Sequence, residues 1–370
     1  MQGELYIGLM SGTSMDGIDA VLARIDSAGI DLLEHSTSHW PEQLQAQLRE
    51  LATPGQVDID LLGSLDNQVA EQFARVASGL LEQSGIAAAD ITAIGSHGQT
   101  VRHRPTPPHP FTLQIGDPSL IAERTGITVV ADFRRRDMAA GGEGAPLVPA
   151  FHADVFSHAE EERVILNLGG IANITQLPAG AAETARGFDT GPANTLLDHW
   201  ARKKQGIPRD ENGAWAASGK VNAALLRDLL DDDYFRTAPP KSTGPEYFSL
   251  VWLEKRLHDH PGLAAEDIQA TLTALTAASI EQAISAHAPG CGRLIVCGGG
   301  INNGELMRQL TDRLQPIPVE SSADHGIDPE QVEALAFAWL ASRTMHRQPG
   351  NLPGVTGARH PVVLGGIYPA

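Results

Sequence analysis

The chain has 370 residues, 42% of them hydrophobic and 19% charged, with a formal net charge of −18 and two cysteines. That length exceeds the size at which one core usually splits, so a globular protein of two domains is expected, and the negative charge argues against nucleic acid or an anionic membrane as the main partner. No apolar run reaches the roughly 18 residues of a membrane span, no leader pattern opens the chain, and Cys291 and Cys297 flank a single apolar strand, so reduced thiols and a cytoplasmic location are expected.

An apolar strand, Leu5 to Leu9, runs into Ser11-Gly12-Thr13-Ser14-Met15-Asp16-Gly17. A second alternating run with Ile18, Ala20 and Leu22 leaves it. The pattern predicts a hairpin with small hydroxyls, two glycines and a carboxylate at its turn. Glycine lets backbone approach a ligand, and successive N–H groups in such a turn form an anion-binding concavity. The plain alternative is an ordinary hairpin with Gly, Ser and Asp as turn formers. Helices are expected over 42–52 and 58–84, and a strand from Asp90 to Gly95. Ser96-His97-Gly98-Gln99-Thr100 follows that strand. His97 and Gln99 at a strand's C-terminal end suit substrate contact in an α/β fold, against the alternative of a satisfied loop histidine.

Thr112–Ile115 and Thr128–Ala131 read as short strands around a helical piece. Arg134 to Pro149 reads as an interdomain crossing. Its arginines, with Asp132 and Asp137, form a solvated face or clamp a carboxylate bidentately. A second strand–Gly-turn–strand unit, Val164 to Leu177 around Gly169-Gly170, opens the second half. Asp189, in Gly187-Phe188-Asp189-Thr190-Gly191-Pro192, is placed as a base at a strand end or as a helix N-cap. Helices follow at about 192–204, 219–231 and 267–287. Gly213 to Lys220 mimics a P-loop but has the wrong glycine spacing and Val221 where Ser or Thr must stand. Ser218-Gly219 reads instead as a helix start. Arg293 to Cys297 is a strand ending in Gly298-Gly299-Gly300, a turn before Asn302 that admits a base or a phosphate. Asp328 as N-cap and Pro329 as N1 open a helix to about Arg343 carrying Glu333. Pro361 to Tyr368 reads as a last strand. Alternating strands and helices give an α/β class, and two hairpin-led halves suggest a duplicated core.

IGLMSGTSMDGIDAVL, IGSHGQT, ADFRRRD, GGEGAPLVPAFH, LNLGGIANIT, RGFDTGPAN, GAWAASGKV, KSTG, CGGGINN, EALAFAWLA and PGNLPGVTGA, in this order from Tyr6 to Tyr368, resemble the anhydro-N-acetylmuramic acid kinases. The resemblance implies a two-lobed actin-like ATPase (ribonuclease H-like) fold with a duplicated core and a central cleft. It implies ATP and Mg²⁺ and a peptidoglycan-derived sugar. The implied reaction opens the 1,6-anhydro ring hydrolytically and phosphorylates O6, giving N-acetylmuramic acid 6-phosphate and ADP. The phosphate hairpin would be Gly12, Thr13, Ser14, Met15, Asp16, Gly17, Ile18 and Asp19. Gly169, Gly170, Gly298, Gly299, Gly300 and Asn302 would complete the nucleotide site. Asp189 would be the catalytic residue, with Arg135 and Glu333 on the sugar beside His97 and Gln99. Asp16 is the candidate nearest the metal. Lobe I is expected over 1–135 with 350–370 and lobe II over 136–349. A homodimer is plausible by resemblance alone. The rival readings are a kinase of an ordinary hexose or hexosamine and a nucleotide-switched actin-like binding protein.

Overall fold

The computed structural model describes residues 3–27, 29–53, 55–244 and 246–370. The chain divides into two compact units, Met1–Val155 with Gln331–Ala370, and Phe156–Glu330. The first holds strands β1 (Glu4–Ser11), β2 (Gly17–Asp26), β3 (Gly29–His39), β4 (Ile91–Arg104), β5 (Phe111–Ile115), β6 (Val129–Ala131) and, at the C-terminus, β12 (Gly366–Tyr368). The second holds β7 (Arg163–Leu168), β8 (Ile171–Leu177), β9 (Arg186–Pro192), β10 (Arg293–Cys297) and β11 (Val319–Ser321).

The two sheets repeat one topology. The first runs β12-β6-β4-β1-β2-β3, with β5 paired to β4, and the second runs β11-β10-β7-β8-β9. In each, the opening strand pairs antiparallel with the next, which pairs antiparallel with the third. On its other side the opening strand pairs parallel with the fourth member, and that with the fifth. The order 3-2-1-4-5, written twice in one chain, is the duplicated ribonuclease H-like core of the actin-like ATPases. The long helix Ile59–Ser84 covers the first sheet with Leu65, Val69, Phe73, Ala77 and Leu80. Its N-cap is Asp58, which accepts from Asp60 N–H, and its C-cap is Gly85 at φ 70°. In the second unit Ala265–His287 is buried nearly all round, including Thr271, Thr273 and Thr276, whose hydroxyls donate to backbone carbonyls. No helix among the described residues is long and apolar enough to cross a membrane.

The helix Val332–Met345 lies against β1 and β4 at a notch made by glycine. Gly8 and Gly95 are neighbours in register. A Cβ on Gly8 would stand 2.0 Å from Ala334 O, and one on Gly95 2.0 Å from Phe337 O. Gly95→Ala is therefore expected to destabilise by roughly 2–3 kcal/mol, the upper range for overpacking, because backbone must move. Gly79→Ala, on the open face of Ile59–Ser84 with nothing within 4 Å, should instead stabilise by up to about 1 kcal/mol. Urea unfolding of both variants checks this, and equal effects would remove the packing argument.

Several expected boundaries lie elsewhere. Arg134 to Pro149 is no crossing. It carries the helix Phe133–Ala139 and the start of Val148–Phe156, inside the first unit. The unit boundaries fall at 155/156 and 330/331 rather than 135/136 and 349/350, because Val332–Met345 packs on β1 and β4. That helix begins after Gln331. Asp328 caps only a local turn, accepting from Glu330 N–H. Strand β4 continues through Arg104, so His97 and Gln99 sit within it rather than after it. Ser218-Gly219 ends the helix Ala214–Ser218, and the next helix is capped by Asn222.

Candidate functional site

Each unit carries its own part of the predicted site. In the first, the turn between β1 and β2 is tied down from behind. Ser11 Oγ lies 2.6 Å from Gly17 O and 2.8 Å from Gln99 Oε1, sharing one proton between them, and accepts from Trp40 Nε1. Gln99 Nε2 donates to Gly12 O at 3.1 Å, Gln45 Nε2 to Met15 O at 2.7 Å, and His39 Nδ1 to Asp16 O at 3.1 Å. Thr13, Ser14 and Asp16 are exposed at the tip, while Met15 and Ile18 are buried in the core. Those two shape the turn from inside and do not offer side chains to a nucleotide. Gly17 is required by β3, since a Cβ there would meet Ser38 O at 2.5 Å. Asp19 accepts from Thr37 Oγ1 at 2.7 Å.

Gln99, expected on the substrate side, is fully buried with both ends of its amide engaged by Ser11, Gly12 O and Thr100 O. His97, across the bulge at Gly98 on the same strand, is also spoken for. Its Nδ1 donates to Ser11 O at 3.1 Å, and its Nε2 accepts from Arg134 Nε at 3.1 Å and Nη2 at 2.9 Å. A carbonyl only accepts and a guanidinium only donates, so the ring is fixed as the neutral Nδ1–H tautomer. Burial first and Arg134's charge second hold the imidazole well below its usual range. Its ring rests 4.7 Å from that of Phe337.

The structure separates the two arginines. Arg135 is exposed, 3.4 Å from Asp132. Arg134 points inward, bonded to His97 and, through Nη1, to Gly144 O at 2.9 Å. Burial pushes its guanidinium down to about 10, opposed first by the negative charge of Glu333 and then of Asp137. Glu333 therefore belongs with Arg134, in the first turn of Val332–Met345. The loop beside them is anchored by Asp137, which accepts from Gly144 N–H, Asn351 Nδ2 and Thr356 Oγ1.

In the second unit Asp189 lies within β9, opposite Asn173 of β8. It is not a helix cap, since Asn194–Gln205 begins beyond it with Ala193 at the cap position. Its backbone is pinned on both sides, with N–H donating to Lys241 O at 3.2 Å and O accepting from Tyr234 Oη at 2.7 Å. The carboxylate takes one hydrogen bond, from Thr243 N–H to Oδ2 at 2.9 Å. Burial raises its pKa to about 6 despite that bond and the charge of Lys241. A carboxylate at that value is a stronger base than an exposed one and is still ionised at neutral pH. Lys241 donates to Tyr234 O at 2.9 Å and sits 4.5 Å above the Tyr234 ring.

The second glycine hairpin is tied to a helix rather than left open. Gly170 O accepts from Ala193 and Thr195 N–H, and Gly169 O from Asn194 N–H and Nδ2. Gly300 is required by Leu168, whose Cβ would be 2.6 Å from a Cβ there, and Gly298 adopts φ 84°. Gly299 has nothing within 4 Å. It lines a pocket of about 140 Å³ with Asn302, Asn194, Asp198, Arg209 and Asn212. Asn302 donates to Glu330 at 2.9 Å.

Residues 4–370 match the family described as anhydro-N-acetylmuramic acid kinase. The chain belongs to this family. A protein so named from Xanthomonas campestris pv. campestris (strain 8004) is 52% identical over 370 residues, covering 99% of this chain and 97% of that one. The Shewanella amazonensis protein of the same name is 51% identical, with both chains covered in full. The one from Cupriavidus pinatubonensis is 50% identical, covering 100% and 99%. Membership of the anhydro-N-acetylmuramic acid kinase family makes the chain a phosphotransferase that uses ATP and a sugar. Within that family frame, sequence reasoning missed Gln45, His39, Tyr234, Lys241 and Thr243. Lys241 and Thr243 stand in the KSTG segment, which carried the family resemblance without a role; it is the strap on Asp189. Nothing local in the sequence marks Gln45.

Proposed function

We propose that this chain converts 1,6-anhydro-N-acetylmuramic acid and ATP to N-acetylmuramic acid 6-phosphate and ADP, with Asp189 as the base. The observation that carries the reading is a rigidly held carboxylate whose pKa burial raises to about 6. An ordinary sugar kinase uses such a group to take the proton of the attacking hydroxyl. In the anhydro sugar O6 is bonded to C1 and carries no proton, so the carboxylate is available for water. Water oxygen attacks C1, its proton passes to Asp189, the C1–O6 bond breaks, and O6 bonds to the γ-phosphorus as ADP leaves. Glycoside cleavage otherwise needs an acid to cap the leaving oxygen. Here the phosphoryl group caps it.

The turn Gly12 to Gly17 would hold phosphates through its amides, and the pocket at Gly299 and Asn302 would take the adenosine. Arg134, with Glu333 beside it, would hold the lactyl carboxylate. Its Nε and Nη2 are turned to His97 and its Nη1 to Gly144 O. Mg²⁺ would supply charge neutralisation for the phosphates. Asp16 suits it, being exposed at the turn. No cluster of three or more ligating side chains occurs among the described residues, and Mg²⁺ commonly needs only one or two carboxylates besides phosphates and water.

Turnover in ¹⁸O-water tests the chemistry. Ring-opening hydrolysis places one solvent oxygen on C1, seen as a 2 Da shift that is absent from O6 and from phosphate (one oxygen mass difference). A product without label at C1 would overturn the water attack. Phosphorylation of an ordinary hexosamine in place of the anhydro sugar would support the rival kinase.

A further inference from the structure

The β1–β2 turn is held in an unusual way, and the hold determines where its amides point. Met15 has φ 55°, a conformation that costs a non-glycine residue energy and persists only when its surroundings over-determine it. Its side chain is buried, and its carbonyl is taken by Gln45 Nε2 from the helix Glu42–Ala52. The carbonyl of Gly12 accepts from Gln99 Nε2 of β4 at 3.1 Å and, within the turn, from Met15 N–H at 3.2 Å. A trans peptide is planar, so its N–H points opposite its C=O. Carbonyls of Gly12 and Met15 drawn back into the protein therefore send the N–H groups of Thr13 and Asp16 outward.

We propose that Gln45 and Gln99 are positioning residues of the nucleotide site, each fixing one peptide plane so that the next amide faces the phosphates. The proposal rests on the reading of this turn as the phosphate-binding element. Each acts through a peptide unit, and the two come from different elements, so the turn is braced from two directions. The brace also explains why a segment rich in glycine and serine can be pre-organised: a floppy loop would lose affinity to the entropy of ordering.

Gln45→Met and Gln99→Met keep side-chain length and remove the donor. Gln45 is only half-buried, so its variant should fold normally even where Gln99→Met is destabilised. Calorimetry of a non-hydrolysable ATP analogue and of AMP, KM for the sugar, and amide exchange over residues 12–17 with and without the analogue decide the matter. In the wild type the analogue should protect Thr13 and Asp16 amides. Gln45→Met should weaken the analogue roughly tenfold, the worth of about one hydrogen bond, leave AMP and the sugar KM within about twofold, and reduce the protection. A general loss of structure would move AMP and sugar as well. Wild-type protection with undiminished analogue binding in Gln45→Met overturns the brace alone. Absence of protection in the wild type overturns the phosphate reading of the turn and the brace with it.

Discussion

Asp189→Asn is expected to lower kcat by roughly 10²–10⁴ while both substrates still bind, the range for removing a general base. The amide retains the oxygen that accepts from Thr243 N–H, so the strap on β9 survives. What it lacks is a site for the proton of the attacking water. Wild-type kcat/KM should fall on an acid limb centred at about 6, since the base works only when ionised and burial has raised its pKa in the free protein to about that value. Any residual activity of Asp189→Asn should lack this limb. Near-normal kcat in the variant would remove Asp189 from the chemistry.

The same substitution should stabilise the fold, and the sign follows from the direction of the shift. Asp189 is held above its ordinary 3.8, at about 6. Below 3.8 the carboxyl is protonated in folded and unfolded chains alike, and its burial carries no charge. As pH rises through 6 the folded protein must ionise a desolvated group, and that stability is lost. Two pKa units amount to roughly 2–3 kcal/mol, trimmed because Lys241 loses a favourable neighbour in the variant. Unfolding at pH 8 and at pH 3.5 should show Asp189→Asn more stable only at the higher pH. Lost activity with gained stability is hard to obtain from mere structural damage.

How much of this was written in the sequence differs by element. The paired hairpins were legible because strand alternation breaks at glycine-rich turns in both halves, and the helix at 59–84 because its apolar period and Asp58 cap agree. Strand β3 was not visible: GIDLLEHSTSH mixes polar and apolar residues, and at the sheet's edge none of them is fully buried, with Leu33 packing on the core. The start of Val332–Met345 was misplaced because Asp328-Pro329 carries every local mark of a helix N-terminus. The chain spends Pro329 O on Gly298 N–H instead. Gln99 looked like a ligand because amides often are. Its commitment to Ser11 and Gly12 depends on the parallel register of β1 with β4, which no single strand reveals. Asp189 stood out in its motif, but the groups that set its basicity, Thr243 and Lys241, are remote in sequence.

Arg134→Ala should reduce kcat/KM for the lactyl sugar roughly 10²-fold, while Arg135→Ala stays within about twofold. A run of three arginines on a short helix presents each in a different direction, and sequence alone does not give the phase. Phe133 and Asp137, one turn apart, are the buried pair of Phe133–Ala139. Arg134 follows them inward onto His97, while Arg135 reaches only Asp132. Two charge-assisted bonds to a carboxylate are worth roughly 3 kcal/mol net, which is about two decades. Arg134→Lys should recover little, because one ammonium cannot serve His97, Gly144 O and a carboxylate together. The diagnostic comparison is an anhydro sugar without the lactyl group. For it, Arg134→Ala should change kcat/KM far less than for the full substrate. An equal loss on both sugars would show that Arg134 serves the turn through His97 and Ser11 O, and a larger loss in Arg135→Ala would return the role to its neighbour.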